Sequence, residues 1–249
     1  MLTNKFKINY SIGSIANGIK TDTFTFFLLF FYSNIIGLKP ALAGLAIFIA
    51  LCVDAVTDPL MGTISDRTKS SLGRRHPYML ISFIPMSLGY VFLFAPRQDW
   101  DMSQNDLFVW MTIFTVLTRI GMTLFDIPHR AFGGEVTKNY KERTLLMSWR
   151  EMVGWVAGLS NAFLGYGIFF ASTPEYPQGQ LNPDAWFPFA VTGAIFMILS
   201  VLYSSLSTKD EIKSLSKWSG SISLIDILKE IQIAIGNKSF LIFFFGNLF

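Results

Sequence analysis

Residues 41–64 read Ala41-Leu-Ala-Gly-Leu-Ala-Ile-Phe-Ile-Ala-Leu-Cys-Val-Asp54-Ala-Val-Thr-Asp58-Pro-Leu-Met-Gly-Thr-Ile64, an apolar run long enough to cross a bilayer that nevertheless carries two carboxylates. Asp54 and Asp58 are four residues apart, so one helical turn brings both to the same face. Each costs roughly 2.5–3.5 kcal/mol at a helix centre on insertion scales. A cation held between them would offset that cost, and this points to ion-coupled transport.

The rest of the chain agrees. Its residues are 51% hydrophobic, its mean hydropathy is +0.44, and apolar runs recur near Tyr10–Tyr32, Ala41–Ile64, Pro77–Phe94, Leu107–Phe132, Leu145–Phe170 and Trp186–Leu206. Six membrane-crossing helices are expected from these runs. Continuous runs rich in Phe, Leu, Ile and Gly, without period-two alternation, set a strand barrel aside. The fold class expected is an all-α membrane protein.

Basic residues cluster before the first span (Lys5, Lys7), between the second and third (Arg67, Lys69, Arg74, Arg75), between the fourth and fifth (Lys138, Lys141, Arg143) and after the sixth (Lys209, Lys213, Lys217, Lys229, Lys238). The alternate loops hold Lys39 and Arg97 among Asp99, Asp101, Asp106, Glu175 and Asp184. The positive-inside rule therefore puts both ends of the six-helix block, including the N-terminus, in the cytoplasm. That bias accounts for the net charge of +3 and leaves no reason to expect a nucleic-acid partner. The bilayer is the expected partner, with an inner cell membrane the expected location. Cys52 is the one cysteine, so no disulfide framework forms within the chain. The N-terminal lysines precede no compact apolar region with a cleavage site, so the first span is expected to be retained.

Beyond Leu206 the composition turns polar and rich in Ser and Lys. Residues 1–207 are read as a six-helix bundle. Residues 208–238 are read as a cytoplasmic linker, in which Leu224, Ile225, Ile227, Leu228, Ile231 and Ile233 repeat on one side of an amphipathic helix. Residues 239–249 are read as the start of a seventh span, since the run Phe240–Phe249 supplies only about half of the length a crossing needs. The chain is thus expected to be one half of a two-part transporter, lacking a C-terminal six-helix half.

Within the spans the ionisable groups are Lys20, Asp22, Asp54, Asp58, Arg119, Asp126, Arg130, Arg150 and Glu151. Lys20, Arg119 and Glu151 can equally be read as long side chains snorkelling to the interface. Asp54, Asp58 and Asp126 are too short for that and need a partner, a cavity or a proton. Two carboxylates with hydroxyls from Thr57 and Thr123 suit a hard cation. Pro59 and Pro128 free backbone carbonyls nearby, although kinking for packing is an equally ordinary use of proline in membranes. Asp126, His129 and Arg130 form a second cluster, with Arg150 on the next span. Paired Arg and Asp suit a polyhydroxylated ligand, and Trp149 or Trp155 suits a sugar face. An interhelical salt bridge between Asp126 and Arg150 is the structural alternative, and His129 is a weak candidate for a proton relay.

The segment Asp54-Ala-Val-Thr-Asp-Pro-Leu-Met-Gly-Thr-Ile-Ser-Asp-Arg-Thr-Lys-Ser-Ser-Leu-Gly-Arg-Arg-His-Pro77 resembles the second span and following loop of the glycoside-pentoside-hexuronide:cation symporters, the melibiose permease-like branch of the major facilitator superfamily. Phe30-Phe-Tyr-Ser-Asn-Ile-Ile-Gly-Leu38, Asp126-Ile-Pro-His-Arg-Ala-Phe-Gly-Gly-Glu135, Lys141-Glu-Arg-Thr144 and Arg150 extend the likeness in order along the chain. The resemblance implies the N-terminal half of a major facilitator fold. It implies a sodium, lithium or proton site at Asp54 and Asp58, with Thr123 as a hydroxyl ligand and Thr57 influencing ion choice. It implies solute contacts at Asp126 and Arg150, and a cytoplasmic gating loop of Gly62, Asp66, Arg67, Gly73, Arg74 and Arg75. Two departures bear on the solute. The family's first-span sugar-binding aspartate falls at Gly18, with Asp22 one turn further on, and the tryptophan four residues after the fourth-span aspartate is Arg130. Galactoside specificity is therefore not expected, and Arg130 favours an acidic sugar.

The reading is a cation-coupled symporter of a sugar or glycoside-like solute, with Na+ or H+ as the coupling ion and no other cofactor. A carrier of lysolipid or another amphipathic solute is the alternative within transport. A membrane enzyme lacks support from two histidines without a metal cluster, a nucleophile paired with a base, or a phosphate loop. A half-length non-transporting membrane protein is the third alternative.

Overall fold

The computed structural model describes residues 2–214 and Gly236. The amphipathic helix expected at Leu224–Ile233 and the run Phe240–Phe249 lie outside the described residues. The first span is segmented. It comprises α1 (Asn4–Ile12), α2 (Ser14–Asp22), a π-helical stretch Thr23–Phe27, α3 (Leu28–Phe30) and a second π stretch Phe31–Ile36. Thr3 caps its start by accepting from the Phe6 amide at 3.2 Å. Gly37 ends it at φ 83°, a left-handed conformation that a residue without a Cβ adopts freely.

The second span is α4 (Pro40–Arg67), with Pro40 in its first turn, where a missing amide hydrogen costs nothing. The third is α5 (His76–Ile81) followed by α6 (Phe83–Leu93). The fourth is α7 (Gln104–Glu135), started by a capping box between Ser103 and Asp106. The fifth is α8 (Tyr140–Leu164), which continues into a π stretch Gly165–Phe169, and the sixth is α9 (Trp186–Ser207). Five stretches among the described residues are long and apolar enough to cross a membrane: Pro40–Arg67, His76–Leu93, Gln104–Glu135, Tyr140–Phe169 and Pro183–Glu211. The first span carries two π stretches and the fifth carries one, and π turns are frequent where a helix serves a functional site.

The packing pairs are related to one another. α4 lies on α7 and α2 on α8; α6 lies on α7, α2 on α9, and α6 on α9. Exchanging the first three spans with the last three maps this set of pairs onto itself, as two inverted three-helix repeats require. At the crossing of α2 and α8, Gly18 lies against the backbone of Gly154 and Gly158, leaving no room for a side chain at Gly18. Aromatic rings fill one end of the bundle, where Phe94 stacks on Trp186 at 6.0 Å and Phe170 packs on it at 4.5 Å. The Trp186 indole is buried but its N–H still finds a partner, donating to the Gln180 carbonyl at 3.0 Å. Charged residues of α2, α4, α7 and α8 instead line two cavities that Phe94, Phe170 and Trp186 do not border.

Candidate ion and solute site

Spans two and four run in the same direction, and their polar residues meet as rungs at a constant offset of 65 residues. Arg119 is ion-paired with Asp54, and one turn on the Thr123 hydroxyl donates to Asp58 Oδ1 at 2.7 Å. A turn further, Gly62 faces the Ile127 side chain. The i, i+4 spacing on both helices produces this ladder, because residues four apart share a face. A cavity of about 80 Å³ adjoins the rungs, lined by Asn17, Lys20, Asp54, Asp58, Arg119, Thr123 and Asp126 among others. Asp54 Oδ1 and Thr57 Oγ1 are buried without a protein partner, so two oxygen acceptors next to the rungs have capacity to spare. No three His, Cys, Asp or Glu side chains cluster for a metal among the described residues. A hard cation here would therefore draw on hydroxyl oxygens besides the two carboxylates.

Lys20 and Arg119 depart from the snorkelling reading. Both line this cavity, and both lie over the Phe24 ring, at 5.7 and 5.6 Å from its centroid. The carboxylates of α4 are close enough to draw the positive heads inward. The signal was present in the sequence, since Arg119 and Thr123 repeat on α7 the four-residue spacing of Asp54 and Asp58 on α4.

One turn beyond Thr123, Asp126 joins α7 to α8. Its Oδ2 accepts from Arg130 Nε at 2.6 Å, and its Oδ1 accepts from Arg150, which also pairs with Glu151. The Arg150 side chain is 1% exposed, whereas that of Arg130 is 51% exposed. Ser14 holds the Arg150 carbonyl at 2.6 Å and ties this cluster to the first span. His129 is elsewhere: its fully buried ring stacks on Tyr10 at 4.1 Å and bonds the Tyr10 carbonyl at 3.1 Å, on the packed side of α7.

A larger pocket of about 300 Å³ opens between α2 and α8, with Asn17, Thr21, Asp22, Glu151 and Trp155 among its lining residues. Asp22 accepts from Asn161 Nδ2 at 2.8 Å. Of the two tryptophans considered as sugar platforms, Trp155 lines this pocket and Trp149 does not. Their six-residue separation turns them to different faces of α8. Asn17 belongs to both cavities, so the pocket and the ladder are neighbours.

The loop expected to gate is pinned by charge. Arg75, with its side chain 4% exposed, donates to Asp66 at 2.6 Å and to Glu135 at 2.8 Å, while Arg74 also binds Glu135. Gly73 turns the loop at φ 75°, which a side chain would resist. Arg67 ends α4 and Gly62 lies one turn above Asp66. Glu135, at the end of α7, is the partner whose importance the sequence alone left undrawn.

This arrangement of a buried charge ladder beside a pocket, in a six-helix bundle of inverted three-helix repeats, fits the N-terminal bundle of a major facilitator fold. The chain belongs to the MFS/sugar transport protein family, whose model matches residues 9–249, and within it to the glycoside-pentoside-hexuronide:cation symporters. It is similar to an uncharacterized symporter of Synechocystis sp., at 32% identity over 82% of this chain and 37% of the relative. It is also similar to an inner membrane symporter of Escherichia coli, at 30% identity over 66% of this chain and 35% of that protein. An isoprimeverose transporter of Lactiplantibacillus pentosus is 23% identical over 84% of this chain and 42% of its own length. The chain spans less than half the length of these curated relatives.

Proposed function

We propose that the protein moves a sugar or glycoside-like solute together with a cation, Na+ or H+, with its N-terminus in the cytoplasm. The observation that carries this reading is the convergence of Asp54, Asp58 and Asp126 on one cavity that shares Asn17 with the larger pocket. A cation bound at Asp54, Asp58 and Thr123 lies one turn of α7 from Asp126, so solute bound near Asp126 and cation bound at the ladder both act on α7. In this reading each favours the other, and linkage makes the two effects equal in size. Asp126, Arg150, Arg130 and Asp22 are the solute contacts in this reading, with Trp155 as the ring platform in place of Trp149. The Asp66, Arg74, Arg75 and Glu135 cluster holds α4 and α7 together at the cytoplasmic end in one access state, and a second helical half facing α4 and α8 closes the site. The name of the isoprimeverose relative supports a sugar-type solute.

The test is uptake of a panel of neutral and acidic sugars by the natural gene product in proteoliposomes. Accumulation of one of them that requires a sodium or proton gradient is the expected result. Equal uptake with and without either gradient would refute coupling.

A further inference from the structure

We propose that Arg119 is a tethered competitor of the coupling cation and sets which cation the site accepts. This rests on the cation site proposed at Asp54 and Asp58. Arg119 is ion-paired with Asp54, one turn from the hydrogen bond between Thr123 and Asp58, and the two side chains of the pair are 12% and 21% exposed. A guanidinium keeps its charge at every accessible pH. While it stays on Asp54 Oδ2, the charge of that carboxylate is neutralised; Oδ1 remains free as a ligand but brings a sodium ion no net negative charge. A hard cation is held best by oxygens whose carboxylate charge is uncompensated, whereas a proton needs only the Asp58 carboxylate.

Binding of sodium with the full charge of both carboxylates therefore requires the guanidinium to leave Asp54. The Phe24 ring, 5.6 Å from the Arg119 guanidinium carbon, gives the displaced head a face to remain on. Lys20 sits over the same ring at 5.7 Å and lines the same cavity, so positive charge is already abundant where a further cation must enter. Arg119 is thus a specificity-determining residue that disfavours sodium and leaves protonation of Asp58 comparatively unaffected.

The experiment measures sodium affinity of the natural gene product in detergent through the sodium-dependent rise in melting temperature, with choline as the control salt. Arg119→Gln, which keeps bulk and a donor but removes the charge, should tighten sodium binding by roughly tenfold or more relative to the wild type. Adding Asp54→Asn to Arg119→Gln should abolish the gain, because the freed carboxylate is its source. Arg119→Lys keeps the charge without the planar fork and should fall between the two; it serves as the second reading if Arg119→Gln folds poorly. Unchanged sodium affinity in both Arg119 variants overturns the proposal. If Asp58→Asn still abolishes sodium binding in that case, the symport reading survives without the tether. If sodium stabilises no variant at all, the tether is refuted, and proton-driven uptake decides the symport reading separately.

Discussion

Arg150 and Asp126 form an ion pair between α8 and α7, and Asp126 holds a second arginine, Arg130, on its other carboxylate oxygen. The arrangement makes the pair unequal. Arg150→Gln leaves Asp126 with Arg130, while Asp126→Asn leaves the buried Arg150 with only the half-exposed Glu151.

Breaking a buried pair costs roughly 3–5 kcal/mol when one charge is stranded, so Asp126→Asn should lower the yield of monodisperse protein more than Arg150→Gln. The double change should recover yield. If the two residues contact solute, calorimetric binding stays lost in the double variant, and retained affinity would assign the pair a purely structural role.

Asp58→Asn should remove the cation dependence of uptake while leaving expression close to normal. The change deletes a hard-cation ligand and also lowers the burial cost of a charge, and an amide can still accept the Thr123 hydroxyl at its 2.7 Å position. Uptake in proteoliposomes with imposed sodium or proton gradients reads this directly. A preserved response to either gradient would sink the assignment.

Thr123→Val should weaken sodium stimulation more than proton stimulation. Valine keeps the shape but removes the hydroxyl that donates to Asp58 and that would ligate a metal ion, whereas a proton on the carboxylate needs no such oxygen. Comparing the half-saturating sodium concentration with the pH dependence of uptake separates the two effects. Equal weakening of both would leave Thr123 with only a packing role.

Gly18→Leu should abolish correct folding, because a Cβ at that position meets the Gly154 backbone and four carbons cannot be placed between α2 and α8. Overpacking costs typically 1–3 kcal/mol in a yielding core, and backbone does not yield as a side-chain tip does. Gly134→Ala, where nothing lies within 4 Å, is the control. Fluorescence-detected size-exclusion profiles of the two variants should differ sharply, and matching monodisperse peaks would contradict the close crossing.

Much of the architecture was legible in the sequence because bilayer solvation acts on each segment by itself. A run such as Ala41–Ile64 must be helical wherever it packs, since every backbone hydrogen bond has to be made within the segment. The same reasoning singled out Asp54, Asp58 and Asp126, whose short side chains cannot reach water from mid-span. Partner choice is different in kind. Whether Arg119 snorkels or turns onto Asp54 depends on which helix lies beside α7 and in what register, and the constant 65-residue offset between α4 and α7 exists only after they pack. The same holds for Trp155 lining the larger pocket that Trp149 does not reach, for Glu135 beneath Arg75, and for His129 stacked away in the core on Tyr10. Local hydrophobicity determined the spans and their buried charges, whereas the ladder that joins those charges was decided by long-range helix packing, which no single stretch of residues encodes.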